Sequence, residues 1–251
     1  MAIETPRARM RNPADIRLPP PFTPVRLREL GDAFEHAVAV AAEQGAGTLV
    51  HVGRFDLAEF ALVLEPQEPL ATARRALYAG MTALTDALIA HAQPETAVTI
   101  DWPDAIKVNG GLVGGGRLAW PDNAEENEVP AWLVFGGTIR TVSMLEEPGL
   151  NPLVTALEEE GFSDVMSGQL VESFARNFMV ALDAWHESGF AAVAKSYLER
   201  LPRERGLSRA LDDNGDLLVR RMDTAGAERL QLLPRLAQPS WYDPAARGPR
   251  S

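Results

Sequence analysis

The residues that could do chemistry concentrate in one stretch, Asp101-Trp102-Pro103-Asp104-Ala105-Ile106-Lys107-Val108-Asn109-Gly110-Gly111-Leu112-Val113-Gly114-Gly115-Gly116-Arg117. Asp101 and Asp104 are paired carboxylates, a set that could hold Mg2+ beside a nucleotide or serve only a turn. Lys107 is one of two lysines in the chain, the other being Lys195, so a step that needs an amine has two side chains to draw on. Gly114, Gly115 and Gly116 carry no Cβ and permit close approach of a ligand or a second backbone, or form a β-bulge. Arg117 just beyond them, and Arg140 further along, offer planar guanidiniums that bind carboxylate or phosphate with two hydrogen bonds but are poor proton donors. His51 and Arg54 form a smaller second group.

Each of these residues also has a plainer reading. Gly110-Gly111 serves a hairpin turn, which needs positive φ. Trp102 can be core, with Pro103 ending a strand. His51 on an apolar strand is first a buried histidine satisfied by its neighbours. Lys107 reads as a solvated strand residue, and Arg54 and Arg140 divide evenly between ligand contacts and salt bridges. The acidic loop around Glu125 is a solvated face.

Composition limits the chemistry further. The 251 residues are 46% hydrophobic and 24% charged, ordinary for a globular chain and enough to bury roughly 70–75% of the unfolded surface. The net charge is −11, which repels phosphate backbones and argues against nucleic-acid or anionic-membrane partners. There is no cysteine. That excludes disulfides, thiolate metal sites, thiol nucleophiles and thioester acyl-enzymes. The four histidines, His36, His51, His91 and His186, form no cluster, so no all-protein metal site is expected. No run reaches the length of a membrane span and no signal peptide is visible, so a cytoplasmic location is expected. Arg7, Arg9, Arg11 and Arg17 precede no apolar segment and read as a mobile arm, followed by extended Leu18-Pro19-Pro20-Pro21-Phe22.

The elements that must position these residues follow from periodicity. A helix is expected over 25–44, ended by Gly45-Ala46-Gly47, then strands over 48–52 and 60–65 that pair antiparallel across a short connection. Leu70 to His91 repeats apolar residues at helical spacing. Strands follow over 97–100, 106–108, 113–119, 131–135 and 138–142. Helices are expected over 153–160, 164–185 and 190–201, then strands over 216–221 and 228–233. The order predicts an α+β fold: a mixed, largely antiparallel sheet with helices packed on one side, plus a small C-terminal all-β module. The divisions expected are an extended segment over 1–22, a main domain over 23–204, the β module over 205–240 and a tail over 241–251.

The stretch from Val98 to Leu118 resembles the biotin protein ligase and lipoate ligase family. That family's pattern is Lys-Trp-Pro-Asn-Asp, a short strand, a hairpin turn, a lysine and a glycine-containing strand. Trp102-Pro103 and Gly115 match directly. Gly136-Gly137-Thr138-Ile139-Arg140 is similar to the family's Gly-rich strand, 174–201 to its closing helices, and 206–236 to the small C-terminal barrel of the biotin ligases. The resemblance spans Leu18 to Leu236. It implies a class II synthetase-like sheet and a tunnel over it for a biotinyl, lipoyl or octanoyl group. It also implies condensation with ATP and Mg2+ to an acyl-adenylate, and transfer to a lysine of a biotinyl or lipoyl carrier domain. No tightly bound cofactor is implied, and a homodimer is compatible with it. The catalytic candidates to stand in for the family's lysine are Lys107, on the strand entering the turn, and Arg140, at the family's asparagine position. The binding candidates are His51, Arg54, Trp102, Pro103, Asp104, Gly114, Gly115, Gly116 and Arg117.

The departures from the pattern are specific. The family's essential lysine falls at Leu112. Its Lys-Trp-Pro-Asn-Asp reads Asp101-Trp102-Pro103-Asp104-Ala105. Its Arg/Gly-rich loop shrinks to Gly53-Arg54-Phe55-Asp56-Leu57. An altered active site is therefore expected, and the alternative is a non-catalytic relative that binds a cofactor, acyl chain or carrier domain without turnover.

Overall fold

The computed structural model describes residues 16–144, 153–162, 165–223 and 226–250. Arg7, Arg9 and Arg11 of the expected arm, and Asp164 at the expected start of a helix, lie outside the described residues. Among the described residues no helix is long and apolar enough to cross a membrane.

Seven strands form the main sheet: β1 (Thr23–Leu27), β2 (Thr48–Val52), β3 (Leu57–Leu64), β4 (Val98–Asp101), β5 (Ala105–Val108), β6 (Gly111–Ala119) and β7 (Leu133–Arg140). Their order across the sheet is β1-β2-β3-β7-β6-β5-β4. Only β1 and β2 run parallel; every other pairing is antiparallel. The β5–β6 hairpin closes on Asn109 and Gly110 at φ 49° and 92°, the positive-φ pair such a two-residue turn requires.

Alternation sends side chains to two separate cores. On one face Leu49, Ala58, Phe60, Leu62 and Phe135 pack under α3 (Ala76–Ile89), α4 (Ser167–Ser188) and α5 (Phe190–Leu198). The Phe174 ring of α4 lies 4.3 Å from Phe60 and 5.6 Å from Phe135. Each such buried aromatic is worth roughly 1.5–3 kcal/mol. This is the helical layer expected from the sequence. On the opposite face Val50, Val52, Ala61, Val63 and Val134 pack against Ala33, Phe34, Ala37 and Ala41 of α1 (Ala33–Gln44), so one helix lies across from the others.

Several local expectations are corrected. The helix expected over 25–44 is β1, then a turn, then α1. Val25 and Leu27 join the α1-side core as β1 pairs in register with β2. Asp32 then starts the helix by accepting the Glu35 N–H at 2.9 Å, a cap worth about 1 kcal/mol. The helix over 70–91 splits into α2 (Leu70–Ala73) and α3 at Arg74 and Arg75. Residues 153–162 are turns rather than a helix, because Val154 bridges to Leu112 as a short strand would.

The C-terminal module is a three-stranded sheet, β8 (Leu207–Leu211), β9 (Leu217–Arg221) and β10 (Glu228–Leu230), followed by the short α6 (Leu232–Ala237). It is not a closed barrel. It docks on the helical face, where the Tyr78 hydroxyl donates to the Gly215 carbonyl. The last residues, expected as a tail, fold back across the main sheet and end in the small hairpin β11 (Tyr242–Asp243) and β12 (Gly248–Pro249).

Candidate functional site

The face of β6 and β7 that the C-terminal segment covers is the candidate site. Its floor is low. Gly115 faces the segment, and a Cβ there would stand 2.1 Å from the Asp104 carbonyl and 2.6 Å from the Trp241 indole nitrogen. Trp241 is 1% exposed, and its Nε1–H donates to the Gly116 carbonyl at 3.2 Å. Leu112 and Ala105 complete a small apolar cluster with Trp241 and Tyr242. The position where the resemblance places a lysine thus lies on this face, and it is apolar.

Two guanidiniums flank the floor. Arg117 stacks between Phe34, at 4.2 Å, and Tyr242, at 3.9 Å, in cation–π geometry. The Phe34 ring fits there because Gly136, in register with Arg117, has no Cβ; one would lie 2.4 Å from the ring. Arg140, at the end of β7, donates to the carbonyls of Pro249 at 2.7 Å, Arg250 at 3.0 Å and Thr155 at 3.5 Å. All three partners are neutral, and burial pulls the Arg140 pKa down.

At one end the floor opens into a cavity of about 350 Å³ lined by Glu29, Asp32, Arg54, Asp56, Glu59 and, from the C-terminal segment, Arg247. Arg54 is held by Asp56 at 2.5 Å and approaches Glu59 at 3.9 Å. Glu59 accepts the Ala33 N–H at 2.8 Å, and burial raises its pKa.

Of the residues singled out from the sequence, Gly115, Arg117, Arg140 and Arg54 meet on this face. Gly114 holds the β5–β6 irregularity, where a Cβ would stand 1.9 Å from the Thr138 carbonyl. Gly116 faces the helices instead, against Met81 and Phe135. Lys107 lies in register with Leu112 but one strand nearer the sheet edge, with its ammonium 2.8 Å from Asp101. His51 pairs in register with Phe60 and so points into the helical face; burial first, then the Arg26 charge, lowers its pKa. Trp102 and Pro103 also anchor that face. The Trp102 Nε1–H donates to the Tyr78 hydroxyl at 3.2 Å, and the Tyr197 hydroxyl donates to the Pro103 carbonyl at 2.9 Å. Asp104 is 1% exposed, with Oδ1 unpartnered, and burial pushes its pKa up to about 7. With Asp101 engaged by Lys107 and Asp104 buried, the two carboxylates do not form a Mg2+ site, and among the described residues no group of acidic and histidine side chains is arranged to hold a metal.

Trp241, Tyr242 and Phe34 were not among the sequence candidates. The available signal was the Trp241-Tyr242 pair itself, since two adjacent aromatics in an otherwise polar tail need somewhere to bury.

Residues 18–199 match the biotin/lipoate A/B protein ligase family, and the chain belongs to that family. Among curated relatives, a biotin–[acetyl-CoA-carboxylase] ligase of Paracoccus denitrificans is 27% identical over 183 residues, covering 63% of this chain and 72% of that one. Among solved structures, a biotin protein ligase-like protein of unknown function from Silicibacter is 30% identical. It has a TM-score of 0.74, over 89% of this chain and all of that one. The biotin protein ligase of Aquifex aeolicus in complex with biotin and ATP shares the fold at 14% identity and a TM-score of 0.62, over 82% of this chain and 94% of that one.

Proposed function

We propose that this chain binds a biotinyl-, lipoyl- or octanoyl-type carboxylic acid on the β6–β7 face and does not adenylate it. The observation that carries this reading is the charge distribution around the floor. Arg140, whose hydrogen bonds all go to neutral carbonyls, can engage one carboxylate, whereas Arg117 is stacked between Phe34 and Tyr242, Leu112 supplies no charge and Arg54 is paired with Asp56 and Glu59. A triphosphate would instead meet the adjoining cavity, where Glu29, Asp32, Asp56 and Glu59 outnumber Arg54 and Arg247, a net negative lining that repels it. The residues present therefore do not suit ATP with Mg2+. The acid's chain would lie along the glycine floor and its carboxylate would pair with Arg140 in a bidentate hydrogen bond.

A second reading, ATP-dependent ligation onto a carrier-domain lysine, draws on one observation. The Arg140 hydrogen bonds all go to main-chain carbonyls, and Glu159, the carboxylate that acts on its charge, is not hydrogen-bonded to it, so the guanidinium can meet a developing anion. Incubation with ATP, Mg2+ and each of biotin, lipoate and octanoate separates the two. Binding without pyrophosphate release supports the first reading. Release that falls by orders of magnitude in Arg140→Ala supports the second.

A further inference from the structure

The C-terminal segment supplies what the sheet beneath it lacks. Ala105, Leu112 and Gly115 present only small or apolar groups, beside Lys107, which pairs with Asp101, and the indole of Trp241 packs over them. The segment also occupies a donor that an acid would use. The Pro249 and Arg250 carbonyls both accept from one Arg140 nitrogen, at 2.7 and 3.0 Å, so a carboxylate that pairs with Arg140 must displace them. Its removal would leave both main cores intact, because Trp241 and Tyr242 belong to a third cluster separate from them. What holds it is side-chain packing and a few hydrogen bonds rather than strand pairing: the buried Trp241 and Tyr242, the indole hydrogen bond, the Tyr242–Arg117 stack and the seating of β12 on β6 and β7, its own two strands pairing only with each other.

We infer that residues 239–250 are a strap that occupies the acid-binding face in place of ligand, opens as a unit without unfolding the sheet, and must be displaced by a carboxylic acid carrying a ring or alkyl chain. The ligand class rests on the reading given under Proposed function; the opening of the strap does not.

The absence of cysteine makes a single reporter thiol unambiguous. Ala105→Cys places one under the strap, at a position 3% exposed, and Ala61→Cys places another in the α1-side core, at 0%. In the full chain under native conditions, iodoacetamide is expected to label Ala105→Cys at least 100-fold faster than Ala61→Cys. Equal rates would overturn the strap, since opening would then require global unfolding. Trp241→Ser in the Ala105→Cys background is expected to raise labelling at least tenfold further. The same change paired with Ala61→Cys should still label slowly, which reports that the variant folds; Tyr242→Ser serves if it does not. In a parallel titration with biotin, lipoate and octanoate, Trp241→Ser is expected to bind the cognate acid at least tenfold more tightly than the unmodified chain. Equal affinities would overturn displacement. Binding of no acid by either form would contradict the function proposed above while the labelling ratio still decides whether the strap opens.

Discussion

Trp241 lies directly over Gly115, with its indole nitrogen 2.6 Å from where a Cβ on that glycine would stand and hydrogen-bonded to the next carbonyl at 3.2 Å. Half the chain length separates the two residues in sequence, so the contact joins the last segment of the chain to the main sheet.

Gly115→Ala is therefore expected to destabilise the protein. The new methyl meets the Asp104 carbonyl at 2.1 Å, and a backbone oxygen that already accepts the Gly116 N–H at 2.8 Å cannot yield as a side chain can. A loss of about 1–3 kcal/mol is expected from such overpacking, read from the midpoint of urea unfolding. An unchanged midpoint would count against the close packing described.

Gly80 gives a second, independent test of packing. In an open helix, glycine to alanine gains about 1 kcal/mol. In α3 a Cβ at Gly80 would lie 2.3 Å from the Phe135 ring, so Gly80→Ala is expected to cost about 1–3 kcal/mol. A stabilised variant would contradict the tight approach of α3 to the sheet.

Asp104 makes stability depend on pH. Burial raises its folded pKa to about 7, from the ordinary carboxyl value of 3.8. The folded state thus holds a proton that the unfolded state has released across this window, and stability falls as pH rises from about 4 to about 7. The shift corresponds to something on the order of 4 kcal/mol. Asp104→Asn should flatten the profile between pH 4 and 7 and be more stable than the unmodified protein at pH 8. Equal slopes in urea unfolding across that range would contradict the buried, unpartnered carboxyl.

Much of the architecture was legible because it is local. The short apolar run over 48–52, the helical repeat from Leu70 and the Asn109-Gly110 turn each state their own structure. The region 25–44 misled because the alanines of α1 dominate it and outweigh the Gly31-Asp32 break before them, and the strand at its start exists only by pairing with β2. The site was legible in part. Gly115, Arg117 and Arg140 share a face by simple alternation across β6 and β7. His51 and Trp102 turn to the opposite face, and their direction depends on strand register and on the contact with Tyr78. The role of Trp241 was not legible at all, since no local pattern reports which distant surface an aromatic side chain will cover.

Acid binding at Arg140 is the claim on which the functional account rests, and thermal unfolding with each ligand tests it most directly. Biotin, lipoate or octanoate at a hundred times its Kd stabilises the folded chain by about 2.7 kcal/mol, a rise of roughly 5–10 °C for a chain of this size. The account predicts that rise with one of the three acids, its loss in Arg140→Ala, and no rise with ATP and Mg2+. A chain that none of the acids stabilises, or one stabilised equally with and without Arg140, would contradict it.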